Sequence, residues 1–84
     1  MNTVYVATIG DYPTVVAPTL ELAQAEALAA ETKYQRDGEW EHRWDESRPG
    51  KWRLMQRQTS RKGRYSWTRR TVHTVDYVTE AGAR

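Results

Sequence analysis

The sequence contains no cysteine and no phenylalanine. Without cysteine the chain forms no disulfide bond and offers no thiolate ligand to a metal. No stretch approaches the roughly 18 apolar residues that a membrane helix needs, and the N-terminal MNTVYV is polar and uncharged rather than typical of an export signal. These absences predict a soluble cytoplasmic protein that does not enter a membrane.

Catalytic motifs are also missing. The glycines are scattered at turns, no glycine-rich phosphate loop follows a strand, and neither HExxH nor GxSxG occurs. His42 and His73 are the only candidates for a general base or metal ligand, and since such a site needs three oriented groups we expect them to be ordinary sheet histidines. The sequence therefore predicts a protein that is not an enzyme and uses no cofactor and no metal.

The 84 residues make one small domain, 1–84, in which only 38% of residues are hydrophobic. Residues 3–9 and 14–17 are rich in β-branched side chains and predict two strands around a turn at 10–13. Residues 20–36 have strong helix composition, with Thr19 as N-cap and Gly38 as the C′ residue. The predicted buried stripe of this helix is Leu20, Ala23, Ala27, Ala30 and Tyr34.

The apolar period changes to two after the helix. Residues 39–46 and 51–58 predict a hairpin whose turn lies at 48–50. An odd-length loop places Trp44 opposite Leu54, Asp45 opposite Arg53 and Glu41 opposite Arg57, so apolar pairing and charge pairing agree. Two leucines, Leu22 and Leu28, lie off the helix stripe, where partial burial and an oligomer contact are both open.

The last strand, 64–78, is too long for the helix to cover. We therefore predict two parts, with 71–78 paired in the core sheet and 64–70 projecting with 51–58 as a two-stranded ribbon. The predicted fold class is α+β, a two-layer domain of order β-β-α-β-β-β with one helix packed on one face of an antiparallel sheet.

Two segments carry a resemblance. VYVATIGDYPTVVAPTLELAQAEALA and GRYSWTRRTVHTVDYV resemble parts of small uncharacterised α/β proteins encoded in actinobacteria and their phages. The resemblance implies an accessory protein of a phage or mobile element, and it implies no catalytic residue.

Charge is divided unevenly along the chain. Residues 1–47 have a net charge of −6 and residues 48–84 a net charge of +8, and residues 48–70 contain nine Arg or Lys with no acidic residue. Such a segment is typical of a nucleic-acid or acidic-partner surface. The two halves can equally balance each other within the fold.

The basic segment is the main functional candidate. As a β-ribbon it would follow a phosphate backbone while exposed aromatic side chains stack on unpaired bases. The predicted nucleic-acid or partner-binding residues are Arg53, Arg57, Arg61, Lys62, Arg64, Tyr65, Trp67, Arg69 and Arg70. In the competing interpretation Trp52 and Trp67 belong to the core and Arg53 and Arg57 neutralise the acidic strand, which leaves Arg61, Lys62, Arg64, Arg69 and Arg70 unpaired.

Protein binding is the alternative function. Trp, Tyr and Arg dominate interface hot spots, and a helix on one side only leaves the other sheet face uncovered. The partner would be a host protein complex inhibited by occlusion, or a second copy of the chain in a homodimer.

Overall fold

The computed structural model describes residues 2–61 and 63–77. The elements in chain order are β1 (Asn2–Ile9), β2 (Tyr12–Ala17), α1 (Leu20–Thr32), β3 (Trp40–Arg48), β4 (Lys51–Gln58) and β5 (Ser66–Tyr77). The strands form one antiparallel sheet in the spatial order β2-β1-β5-β4-β3. The predicted α+β class and the order β-β-α-β-β-β are confirmed.

Helix α1 begins where the sequence predicts and ends earlier. The Thr19 hydroxyl accepts a hydrogen bond from the Leu22 backbone N–H at 3.2 Å, as expected of an N-cap. The helix ends at Thr32, so Tyr34 lies beyond it and is 89% exposed. The predicted stripe is wrong after Ala27, and Gly38 (φ +77°) serves the turn into β3 instead of capping the helix.

The core is built around small side chains. Ala7, Ala17, Ala23, Ala27 and Val72 are buried together, and the absence of bulk at these positions lets the helix lie close to the sheet. Larger side chains surround this cluster, namely Tyr5, Val15, Leu20, Trp44 and Trp52. Trp52 therefore packs against the core, partly buried, which agrees with the competing interpretation for this residue.

The β3–β4 hairpin has the predicted register. Trp44 pairs with Leu54, Asp45 with Arg53 and Glu41 with Arg57. Leu54 is completely buried, although α1 packs mainly on β1, β2 and β5. The observed pairing agrees with the alternation of apolar and charged residues along both strands.

Strand β5 has two parts, as predicted, and they meet at an irregularity. Between the pairs Arg53–Thr71 and Met55–Trp67 the register shifts, and within the shift Arg69 has a φ of +74°. Strand β1 ends opposite Arg70, so the start of β5 continues beyond it. The predicted two-stranded ribbon is wrong in one respect, since β3 flanks β4 and the projecting part has three strands.

The sheet has one helix-covered face and one uncovered face, because α1 is the single helix in the described part of the chain. Residues paired directly opposite each other point to the same side of a sheet. Val6, His73 and Lys51 form one such row and Arg53 and Thr71 another. We call the side that carries these residues and Trp67 the open face.

Candidate nucleic-acid interface

Tyr65 lies in a cluster of charged side chains on the open face. Its ring centroid is 4.2 Å from the guanidinium carbon of Arg43 and 4.5 Å from that of Arg57. Arg57 Nε donates a hydrogen bond to Glu41 Oε2 at 2.7 Å, and the Tyr65 hydroxyl donates to the same oxygen at 3.4 Å. Two of the predicted binding residues, Arg57 and Tyr65, are thus engaged within the fold.

The Arg57–Glu41 contact also changes the acidity of the guanidinium. The hydrogen bond to Glu41 and the charge of that carboxylate raise the pKa of Arg57 above its ordinary value. The charge of Arg57 balances the acidic strand, as the competing interpretation expected.

Trp67 has a different environment. Its side chain is on the open face and 42% exposed, so the competing interpretation, which placed Trp67 in the core, is wrong. The indole Nε1 donates a hydrogen bond to the Arg70 carbonyl at 3.1 Å, and the guanidinium carbon of Arg53 is 5.0 Å from the ring centroid. The indole is held in one orientation with much of its surface in water.

Arg53 and Asp45 face each other in register without forming the expected ion pair. Asp45 pairs instead with Arg43 of its own strand, whose Nε lies 3.0 Å from the carboxylate. Arg53 has no carboxylate partner within residues 2–61 and 63–77. Its charge therefore adds to the open face beside Trp67.

Arg70 was predicted to be unpaired, and that prediction is wrong. Its Nε donates to Glu31 Oε1 of α1 at 2.7 Å, and the two side chains are only 14% and 18% exposed. Neighbouring side chains of a strand point to opposite faces of the sheet, and the residue after Arg70 points to the open face. The side chain of Arg70 therefore points towards the helix. Arg61, Arg64 and Arg69 have no carboxylate partner among the described residues, and Lys62 lies outside them.

Arg69 occupies a conformation that residues other than glycine rarely adopt. A positive φ costs an L-residue roughly 1–2 kcal/mol, and here the Gly10 N–H donates to the Arg69 carbonyl at 2.8 Å and fixes the backbone. The Thr68 hydroxyl helps by donating to the Leu54 carbonyl and accepting from the Arg70 N–H. The irregularity is therefore a defined structure that sets where Trp67 and Arg70 point.

Beside Trp67 the open face has a cleft of about 290 Å³. It is lined by Thr8, Gly10, Asp11, Lys51, Trp67, Thr71 and His73. A second hollow of about 460 Å³, at the β3–β4 turn, contains Arg48 and shares Lys51 and His73 with the cleft. Lys51 and His73 are direct cross-strand neighbours, so the two concavities adjoin.

Most residues of this cleft and of the adjoining hollow were not predicted from the sequence. Arg48 and Lys51 belong to the basic segment but were not predicted as site residues, and Asp11 and His73 come from distant parts of the chain. The pairing of β5 with both β1 and β4 brings these residues together. No local pattern reports such long-range pairing, so the sequence predicted only Trp67 and the general basicity of 48–70 at this place.

The two histidines lie apart. His42 is opposite Gln56 on the helix-covered side of the sheet, whereas His73 is on the open face opposite Lys51. The Nε2 atom of His42 is buried and has no hydrogen-bond partner within the described ranges. In the same ranges no three His, Asp or Glu side chains are arranged to hold a metal ion.

Comparison of the chain with protein-family models, with curated proteins and with solved structures finds no match. Within the part of the chain that the structure describes, no helix has the length and apolar character needed to cross a membrane.

Proposed function

We propose that this chain binds nucleic acid through the open face of its sheet, at the end that carries Trp67. The observation that supports this most strongly is an exposed indole beside cations that lack carboxylate partners, on a sheet face that no helix covers. Cations of this kind neutralise phosphates, and aromatic side chains beside them stack on bases.

The surface has enough basic side chains to contact several phosphates. Within residues 2–61 and 63–77, six basic side chains of the 48–70 segment have no carboxylate partner, and they are Arg48, Lys51, Arg53, Arg61, Arg64 and Arg69. The exposed side of α1 is acidic and carries Glu21 and Glu26. Of the six cations, Arg48, Lys51 and Arg53 lie on or beside the open face, away from these acidic residues. A polyanion would therefore be attracted to that side of the molecule.

A triple variant, Arg48→Ala, Lys51→Ala and Arg53→Ala, tests the proposal, because these cations lie on or beside the open face. The plot of log K against log[salt] has a negative slope, and each phosphate contact on a single strand contributes about 0.7 to its magnitude. Loss of three contacts should therefore make this salt slope shallower by about 2. Fluorescence anisotropy with a labelled oligonucleotide, starting at about 50 mM salt, measures it.

Arg36→Ala is the matched control for the triple variant. Arg36 is an exposed arginine in the turn after α1, and it has no carboxylate partner among the described residues. It lies outside the proposed surface, so its loss should leave the salt slope unchanged. Failure of the unmodified protein to bind any oligonucleotide at low salt would overturn the proposal.

A protein partner is the second candidate, and an apolar patch favours it. Val16, Val75 and Tyr77 are exposed on the open face at the end away from Trp67. Exposed apolar patches are typical of protein contacts, and the partner would be a host protein or a second copy of this chain. Recovery of a defined protein from nuclease-treated lysate, lost in Val16→Glu, would support this function, and sedimentation would identify a homodimer.

A further inference from the structure

We infer that the cleft beside Trp67 receives one unpaired nucleobase, so that the ligand class is single-stranded DNA or RNA rather than a duplex. This inference rests on the proposed function and specifies its ligand. It depends on the shape and lining of the cleft, which the charge of the surface does not determine.

The indole of Trp67 forms one wall of the cleft. Its hydrogen bond to the Arg70 carbonyl fixes the ring, so little side-chain freedom remains to be lost when a base stacks on it. A base stacked on an aromatic ring in this way contributes about tenfold or more to affinity. Arg53 near the same ring adds a cation next to the stacked base.

The remaining walls are polar in a way that suits a base edge. The floor is Thr71, which is 3% exposed although it lies on the uncovered side of the sheet. Asp11 and Thr8 line the cleft beside it. A carboxylate accepts hydrogen bonds from exocyclic amino groups, and hydroxyls pair with either kind of base atom, whereas a carboxylate would repel a phosphate.

Phosphates have a separate place beside the cleft. The adjoining hollow is lined by Arg48, Lys51 and His73, and Lys51 and His73 also border the cleft. A single strand whose base enters the cleft would therefore carry its neighbouring phosphates over Lys51 towards Arg48. Cations next to an aromatic wall are the usual combination in single-strand binding surfaces.

A duplex does not satisfy this arrangement. Its bases are stacked on each other and present only their edges in the grooves, so none can lie flat against Trp67 without being turned out of the helix. The cleft volume of about 290 Å³ is at the lower limit for small-molecule sites. A single ring system therefore suits it better than a larger ligand.

The test compares three labelled ligands of about 15 nucleotides, a length within the usual site sizes of single-strand binding folds. They are a single strand, a fully abasic strand with the same phosphates, and a duplex. We expect the single strand to bind the unmodified protein at least about tenfold tighter than the abasic strand. This comparison needs no variant, so it holds even if a substitution damages the fold.

Variants then assign the difference to Trp67. Trp67→Leu should reduce binding of the single strand to the level of the abasic strand and leave abasic binding unchanged, while Trp67→Phe should keep most of the difference. Tyr34→Leu is the matched control, since Lys33 lies 5.5 Å from that exposed ring outside the proposed surface. It should have no effect.

The outcomes separate the inference from the proposed function. Equal binding of the single and abasic strands, or tightest binding of the duplex, would overturn the inference and leave nucleic-acid binding standing. Retention of the full difference in Trp67→Leu would also overturn it. Absence of binding to all three ligands would overturn the proposed function itself.

Discussion

Tyr65 lies just before β5 and Trp67 lies within it, two positions later, yet the two side chains have different surroundings. Two guanidinium groups lie against the ring of Tyr65 and its hydroxyl bonds to Glu41. Trp67 has one guanidinium nearby and an exposed indole that borders a cleft. The difference depends on which arginines the carboxylates of β3 hold, and Asp45 holds Arg43 in place of Arg53.

Gly50 and Gly38 allow backbone strain and packing to be measured separately. Both have positive φ, but a Cβ added at Gly50 would lie 2.9 Å from Thr74 Oγ1, whereas one at Gly38 would meet nothing within 4 Å. Gly38→Ala should lower the free energy of unfolding by about 1 kcal/mol. Gly50→Ala should lower it by about 2 kcal/mol or more. Urea denaturation followed by tryptophan fluorescence measures both.

Thr74→Ala provides the control for Gly50→Ala. It removes the hydroxyl that the new Cβ would meet, so the double variant should recover part of the loss. Equal costs for Gly50→Ala and Gly38→Ala would show that packing at the β3–β4 turn has no influence.

An ion pair between α1 and β5 determines the role of Arg70. This arginine continues the basic run of the sequence, yet its guanidinium bonds to Glu31 at the end of the helix. The helix is shorter than its composition predicted. It ends at Thr32, and the chain then turns towards β3. The charge that sequence reasoning assigned to a ligand instead holds two elements together.

Arg70→Met tests this assignment. It leaves the Glu31 carboxylate without its partner while keeping most of the apolar stem, and we expect the free energy of unfolding to fall by about 2 kcal/mol. Adding Glu31→Met should restore part of the loss because the unpaired charge is then removed. Urea denaturation of the four proteins of the cycle gives the coupling.

Binding separates the structural role of Arg70 from a ligand contact. The affinity of Arg70→Met for an oligonucleotide, measured where the variant is fully folded, should match that of the unmodified protein. A loss as large as that of the Arg48, Lys51 and Arg53 variant would mean that Arg70 contacts the ligand after all.

The whole molecule is elongated because the sheet extends beyond the helix. A compact chain of this length has a radius of gyration of about 12 Å, whereas here it is 14.7 Å and the longest dimension is 53 Å. The core of small side chains lies at the helix-covered end. The projecting end lacks this core and is stabilised by strand pairing, by the buried side chain of Leu54 and by the turn that follows α1.

Hydrogen exchange should report this asymmetry. Amides of β5 near Val72 lie between two strands and under the helix, so we expect them to exchange slowest. The amides of β3 that bond to β4 lie on an edge strand away from α1 and should exchange earlier. Uniform protection across β3 and β5, measured by NMR, would contradict this expected order of exchange.

The sequence alone determined the elements and the β3–β4 register, because both depend on local periodicity. Alternation of apolar and charged residues placed Trp44 opposite Leu54 and Glu41 opposite Arg57, and Thr19 set the start of the helix. It also located the basic segment, since charge can be counted without a fold.

Only the tertiary structure decided which cations are unpaired and which indole is exposed. Ion pairing depends on which side chains come into contact after distant parts of the chain have packed together, as Glu31 and Arg70 do. The lining of the Trp67 cleft depends in the same way on Asp11, which is far from Trp67 along the chain. The positive φ at Arg69 depends in the same way on β1 and β4 together. Contacts of this kind leave no periodic trace in the sequence, because each joins residues whose separation along the chain is set by the fold.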